Sequence, residues 1–169
     1  MKKHQGVIAI VQDRMGSQRL PGKSFELISG IPVVEIVLRR LARARLVQDV
    51  VLATSVGPQD DILARHTARI GFQVFRGSEN DLVERFYLAA KKNQCEHFLR
   101  VTADNVYIDW DEIDRQVEYG LTEKCDFVTW RNPEFPERNN DFAGEFISFS
   151  GLERVYETTK EPFDREHVY

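Results

Sequence analysis

What most constrains this chain is a regular switching between two hydrophobic periods. Gly6-Val-Ile-Ala-Ile-Val11 is an unbroken apolar run, the pattern of a short strand buried on both faces. From Pro32 to Ala44 the period lengthens. Val34, Val37, Leu38 and Leu41 recur at helical spacing, with Glu35, Arg39 and Arg40 opposite, which predicts a helix with one face in a core. Asp49-Val-Val-Leu-Ala53 returns to strand, and a turn at Gly57-Pro58 leads into a helix from about Gln59 to Ile70. Phe72 to Phe75 reads as a third strand. The next helix begins near Asp81, with Ser78 or Asn80 as its cap and Leu82, Phe86 and Ala90 on one face. His97 to Thr102 is the fourth strand. Strands separated in this way by helices run parallel, because each helix carries the chain back to the same end of the sheet. The expected fold is therefore α/β, a Rossmann-like, mostly parallel sheet flanked by helices. Further on, the pattern predicts a helix over Asp111 to Tyr119, short strands around Phe127 and Phe146, and a helix from Gly151 to Thr159. Arg131 to Asp141, with Pro133, Pro136, Asn139 and Asn140, reads as an irregular, mobile loop.

Composition narrows the function classes. With 169 residues, of which 42% are hydrophobic and 30% charged, the chain matches one globular domain, residues 1–169. Its 23 Lys+Arg against 27 Asp+Glu leave a net charge of −4, which argues against nucleic acid as a partner. No stretch approaches the roughly 18 apolar residues of a membrane helix. The apolar run after Lys2, Lys3 and His4 is too short for a signal peptide, so a cytoplasmic protein is expected. Cys95 and Cys125 show no CxxC spacing and read as buried or half-buried thiols. His4, His66, His97 and His167 have neither metal spacing nor a nucleophile partner, and Trp110 and Trp130 read as core or interface residues.

In open parallel sheets, ligands bind at the carboxyl ends of the strands. The segment leaving the first strand, Gln12 to Ser24, combines Gly16 and Gly22 with the cations Arg14, Arg19 and Lys23. Glycines let backbone N–H groups approach a phosphate, and cations neutralise it. So basic a loop in an acidic chain suits a nucleoside triphosphate, which carries about four negative charges. It is not a Walker loop. Gly22-Lys23-Ser24 matches the end of that pattern, but its first glycine falls on Ser17, and Gly30 and Pro32 interrupt the helix that should follow. The dinucleotide fingerprint G-x-G-x-x-G is absent.

The run from Arg14 to Lys23, R-M-G-S-Q-R-L-P-G-K, resembles the signature of the cytidylyltransferases that make CMP-activated sugar acids. The branch it resembles is the spore coat polysaccharide biosynthesis protein F type, similar to 3-deoxy-manno-octulosonate and acylneuraminate cytidylyltransferases. The likeness continues through Val51 to Ser55, Asp60-Asp61, Val74 to Glu79, Arg85, Arg100 to Asp104, Ile108-Asp109, Ser148-Phe149, Leu152 to Arg154 and Arg165 to Val168. It implies the nucleotide-diphospho-sugar transferase form of the fold. The implied reaction is attack of a sugar hydroxyl on the α-phosphorus of CTP, with pyrophosphate leaving. By resemblance, Arg14 and Lys23 hold the triphosphate as catalytic cations, assisted by Gly16, Ser17 and Arg19. Arg76 and Ser78 belong to the base pocket, Thr102 lies near the nucleotide, Asp104 binds Mg²⁺, and Glu145 faces the sugar. Asp109 and Asp111 read as helix caps. The resemblance further implies a homodimer, with Arg131 to Tyr169 as its interface.

The sequence departs from the branch at four places. Asp13 stands where Ala is usual, beside Arg14, so it either pairs with Arg19 or Lys23 or turns away from the loop. Ala103-Asp104-Asn105-Val106 replaces G-D-C-P, and Ala143 replaces the Asp of a G-x-D-x-E pattern, leaving Glu145. Relatives are expected to continue past Arg165-Glu-His-Val168 into a D-T-P-E-D-like segment with a second metal carboxylate, which these 169 residues do not include. Three functional readings stay open: an active cytidylyltransferase, a catalytically impaired relative that binds nucleotide or serves as a partner subunit, and an active nucleotidyltransferase that uses another base or acceptor.

Overall fold

Along β1 (Val7–Gln12) successive side chains enter two different cores. Val7, Ala9 and Val11 join one apolar cluster, and Ile8 and Ile10 join another on the opposite face. A strand buried on both sides requires helices on both faces of its sheet. The computed structural model, which describes residues 6–16, 20–130 and 142–166, supplies them. After β1 come β2 (Leu27–Ile28), β3 (Ile31–Pro32), α1 (Val33–Leu41), β4 (Val47–Ser55), α2 (Asp61–Arg69), β5 (Gln73–Gly77) and α3 (Leu82–Lys92). Then follow β6 (His97–Thr102), α4 (Trp110–Thr122), β7 (Phe127–Thr129), β8 (Glu145–Ser148), α5 (Phe149–Thr158) and α6 (Pro162–Arg165). Val34, Val37, Leu38 and Leu41 of α1 pack on one face of the sheet, together with Ile113 and Val117 of α4. Val83, Phe86 and Ala90 of α3 and Leu152 of α5 cover the other.

The main sheet has the order β5-β4-β1-β6-β8-β7, and β2 pairs with β3 in a separate hairpin. β4 and β6 flank β1 in parallel, and β5 lies parallel to β4. α4 then carries the chain to β7, and β8 returns between β7 and β6, antiparallel to both. The fold is thus the expected α/β class. It departs from all-parallel pairing at one edge, where β8 is antiparallel to both β6 and β7.

Two expected caps differ. Asp81, not Ser78 or Asn80, caps α3: its Oδ1 accepts the Glu84 amide at 2.8 Å, while Ser78 Oγ accepts the Asp81 amide at 3.1 Å and braces the cap from outside. Asp109 caps α4 as expected, accepting the Asp111 and Glu112 amides, which leaves Asp111 inside the first turn. Cys95 is buried, which pushes its thiol up to about 12, and Cys125 is half-buried. Trp110 packs against the core beneath the guanidinium of Arg43, 3.8 Å from the ring centroid. Among the described residues no helix is long and apolar enough to cross a membrane. The expected loop from Arg131 to Asp141 lies outside the described residues.

Gly120 faces the sheet from α4, and a Cβ there would stand 2.6 Å from the ring of Phe146, which is fully buried. Replacing glycine by alanine inside a helix ordinarily gains about 1 kcal/mol. Forcing a methyl into a packed core costs about 1–3 kcal/mol, and the Phe146 ring is itself fully buried. Gly120→Ala is therefore expected to destabilise the fold by up to about 2 kcal/mol in urea unfolding, against the usual helix trend.

Candidate active site

The chain runs from β1 outward through β4 to β5 on one side, and α3 then brings it back to β6 on the other. This reversal places the crevice of an open α/β sheet at the carboxyl ends of β1 and β6. Two segments leave those ends, and one contact joins them: Lys23 Nζ lies 2.5 Å from Asp104 Oδ2. Burial by itself would raise the Asp104 pKa, but donation from Lys23 and from the Thr102 hydroxyl outweighs it and holds the carboxyl below its ordinary value. Asp104 is thus an ionised, partly exposed carboxylate at the crevice, with its side chain 45% exposed.

The loop that carries Lys23 is held from below by Asp60. This carboxylate is wholly buried, accepting the Met15 amide at 2.8 Å, the Ser55 amide at 3.2 Å and the Ser55 hydroxyl. It therefore ties the loop after β1 to the end of β4. Gly22 adopts the left-handed conformation, with φ of 74°, and donates to the Met15 carbonyl at 3.4 Å. That turn closes the loop and starts the single 3₁₀ turn Lys23–Phe25, which sets the direction of Lys23. Arg14 leaves the other end of the loop and donates through Nη1 to the Glu79 carbonyl at 2.7 Å, past the end of β5.

The structure therefore brings Lys23, Thr102 and Asp104 together at the crevice, while Arg14, from the same loop, reaches toward Glu79 and Gly16 is exposed. Ser17 and Arg19 lie outside the described residues. Arg76 is held on the outer strand: its guanidinium donates to the Ser55 and Gly57 carbonyls at 2.9 and 2.8 Å and pairs with Asp61 at 2.7 Å. Ser78 spends its hydroxyl on the Asp81 amide. Glu145 is buried and ion-paired with Arg100, which also donates to Gln12 Oε1 at 2.9 Å. The pair belongs to the sheet, in register between β6 and β8. Sequence reasoning gave no role to Asp60, because a doubled aspartate before an amphipathic run reads as an ordinary helix start.

Asp13 turns away from the loop surface, the second of its two expected fates. It is 6% exposed, and its Oδ1 accepts the neighbouring Arg14 amide at 2.9 Å. Burial raises its pKa from the ordinary 3.8 to about 6, opposed in part by the nearby Ser24 hydroxyl, the Arg14 amide and the Lys23 charge. Its Oδ2 is buried without a hydrogen-bond partner.

The family model for cytidylyltransferases matches residues 8–169. The chain belongs to the cytidylyltransferase family. Among curated relatives of this cytidylyltransferase-family chain, an uncharacterised protein of Methanocaldococcus jannaschii, MJ1063, is 34% identical over 162 residues, covering 96% of this chain and 65% of its own length. The spore coat polysaccharide biosynthesis protein SpsF of Bacillus subtilis is 32% identical over 126 residues, covering 72% of this chain and 52% of its own. The chain thus spans between about half and two thirds of the length of these relatives. A solved cytidylyltransferase structure from Leptospira borgpetersenii superposes with a TM-score of 0.86 at 29% identity, covering 98% of this chain and 69% of that one.

The Asp13 environment has a measurable consequence. A raised folded pKa means that the native state must ionise a buried acid as pH rises from 3.8 through about 6, so stability is lost across that window. Asp13→Asn keeps an acceptor for the Arg14 amide and removes the ionisation. Its stability relative to wild type should rise between pH 4 and pH 7 by about 3 kcal/mol and then level off, from 1.36 kcal/mol per pKa unit. Urea unfolding of both proteins across that range measures it; a constant difference would refute the assignment.

Proposed function

We propose that this chain carries the nucleotide site of a cytidylyltransferase that transfers CMP from CTP to a sugar or sugar acid, releasing pyrophosphate, in surface polysaccharide synthesis. The observation that carries this reading is the Lys23–Asp104 contact, which sets the loop's cation and the β6 carboxylate against each other at the switch point. The family membership and the name of the B. subtilis relative support the reaction class and the pathway. Arg14 grips phosphate oxygens with its planar fork, and Lys23 acts as a compact point charge. When the triphosphate enters, Lys23 exchanges the Asp104 carboxylate for phosphate oxygens. The acceptor hydroxyl attacks the α-phosphorus in line, and both cations meet the charge that develops on the departing pyrophosphate. Ser17 and Arg19 assist at the same loop, Arg76 and Ser78 lie toward the base, and Glu145 lies toward the sugar.

The donor set at Asp104 fits magnesium. Mg²⁺ takes one or two carboxylates and completes its shell with phosphates and water, and Asp104 offers one ionised, partly exposed carboxylate. Among the described residues no group of three or more His, Cys, Asp or Glu side chains gathers into an all-protein metal cage, which suits an ion shared with the nucleotide. Mg²⁺ held there would supply neutralising charge to the phosphate oxygens. The reading includes a cytoplasmic homodimer, whose mass sedimentation velocity measures.

In thermal-shift titrations with Mg²⁺, CTP should stabilise the chain more than UTP, GTP or ATP. Pyrophosphate should be released from CTP with at least one member of a sugar-acid panel. Lys23→Ala should weaken CTP binding by about tenfold to a hundredfold, from the 1.5–3 kcal/mol of a charged hydrogen bond. Tight CTP binding without pyrophosphate release would instead favour the nucleotide-binding partner subunit, and absence of CTP binding would refute both readings.

A further inference from the structure

Arg85 is 2% exposed in the first turn of α3, and its guanidinium is almost unused. Nη1 donates to the Ser78 carbonyl at 2.9 Å, and Nε is buried without a partner. Among the described residues it forms no ion pair. The acids around it are engaged elsewhere: Asp60 by Met15 and Ser55, Glu79 by the Gln59 amide at 3.3 Å, and Asp13 by the Arg14 amide. The other deeply placed arginine, Arg100, is treated differently, with Glu145 paired to it in the sheet. The charges of Asp60, Glu79 and Asp13 reach Arg85 without touching it, and burying a guanidinium with no carboxylate in contact is unfavourable, the more so at the positive end of a helix. The backbone nevertheless makes room for it. A Cβ at Gly77 would stand 3.2 Å from Arg85 Cγ and 2.9 Å from Phe75.

The surroundings indicate what this charge faces. Arg85 donates to the Ser78 carbonyl and Arg14 to the next one, Glu79, so two guanidinium groups hold consecutive carbonyls beside the loop after β1. Burial, and then repulsion from Arg14, push the Arg85 pKa down to about 10 against the opposing pull of Asp60, Glu79 and Asp13, so it stays charged at neutral pH. Arg14 and Arg85 repel one another and none of the nearby acids is in contact with Arg85; a phosphate would add an anion beside both cations, which a neutral base cannot supply. We propose that Arg85 is a buried counter-charge for the phosphates of the bound nucleotide, acting with Arg14 from beneath the loop. This rests on the reading that the site takes a nucleoside triphosphate. Arg85 then works as a positioning group that holds the Ser78 carbonyl and adds its field to the phosphate site.

Calorimetric titration of wild type, Arg85→Met and Arg85→Lys with CTP, inorganic pyrophosphate and cytidine tests this, alongside urea unfolding of each protein without ligand. Arg85→Met should retain a cooperative urea transition, although it loses the Ser78 carbonyl bond and the field of the nearby acids. It should bind CTP and pyrophosphate at least tenfold more weakly and cytidine within twofold. Arg85→Lys should recover part of the pyrophosphate affinity by restoring the charge. Equal pyrophosphate affinity in wild type and Arg85→Met overturns the proposal, as does an equal loss for cytidine. If Arg85→Met does not fold, the Arg85 Nε–Hε resonance of wild type, identified by its absence in Arg85→Lys, decides: it should shift with pyrophosphate and not with cytidine, and no shift overturns the proposal. Failure of the wild type itself to bind CTP or pyrophosphate would overturn the proposed function, whereas an unaffected Arg85→Met beside a binding wild type overturns only the role of Arg85.

Discussion

The carboxylate of Asp60, with no exposed surface, takes hydrogen bonds from the Met15 amide, the Ser55 amide and the Ser55 hydroxyl. A carboxyl group so deeply buried is tolerated only when donors surround it, and here those donors belong to the loop after β1 and to β4. The loop after β1 and the end of β4 are thereby fixed to one another, and the position of Arg14 and Lys23 follows from that. Removing this acceptor would strand buried N–H groups on two elements at once, so the anchor and the loop geometry stand or fall together.

Around this anchor the fold handles charge in four different ways. Asp104 is ionised and partly exposed, because Lys23 and Thr102 donate to it strongly enough to outweigh burial. Asp13, one strand away, is driven the other way, since its burial exceeds the help it receives. Arg85 keeps a positive charge in a place that offers it almost no partner, while Lys23 holds its charge at the surface of the crevice. The result is a pair of guanidinium groups and an ammonium on one side of the loop, with the negative charge of Asp13 withdrawn beneath it. Asp13 still ionises at neutral pH, but its carboxylate is buried and turned to the Arg14 amide rather than presented at the loop surface.

The residues just before β8, Phe142 and Gly144, are held by their backbone carbonyls. The Asp109 amide donates to the Phe142 carbonyl at 2.6 Å, and Gln116 Nε2 to the Gly144 carbonyl at 2.8 Å, which docks the approach to β8 against α4. Gly144 is needed there because a Cβ would lie 2.7 Å from the Arg100 carbonyl. With that docking, Glu145 is drawn into its pair with Arg100. Its charge serves the sheet edge in this state, and any role toward a sugar has to compete with that pairing.

The amino-acid sequence by itself determined the layered α/β class, because the strand and helix periods are local and each is set by which faces must be buried. It also determined that chemistry gathers after β1, since Arg14, Gly16, Gly22 and Lys23 lie close together along the chain. Individual caps were less legible: Ser78, Asn80 and Asp81 are all competent cap residues within four positions, and only hydrogen-bond geometry chose Asp81. What the tertiary structure alone decided is which distant groups meet. Arg85 sits among Leu82, Phe86 and Ala89 like a polar residue at the margin of an amphipathic helix, and Asp60 like a helix start. Their burial depends on strand order, β5-β4-β1-β6, which brings segments far apart in the chain under one loop. Periodicity encodes which face of an element is buried; it carries no information about which buried charge will be left without a carboxylate in contact.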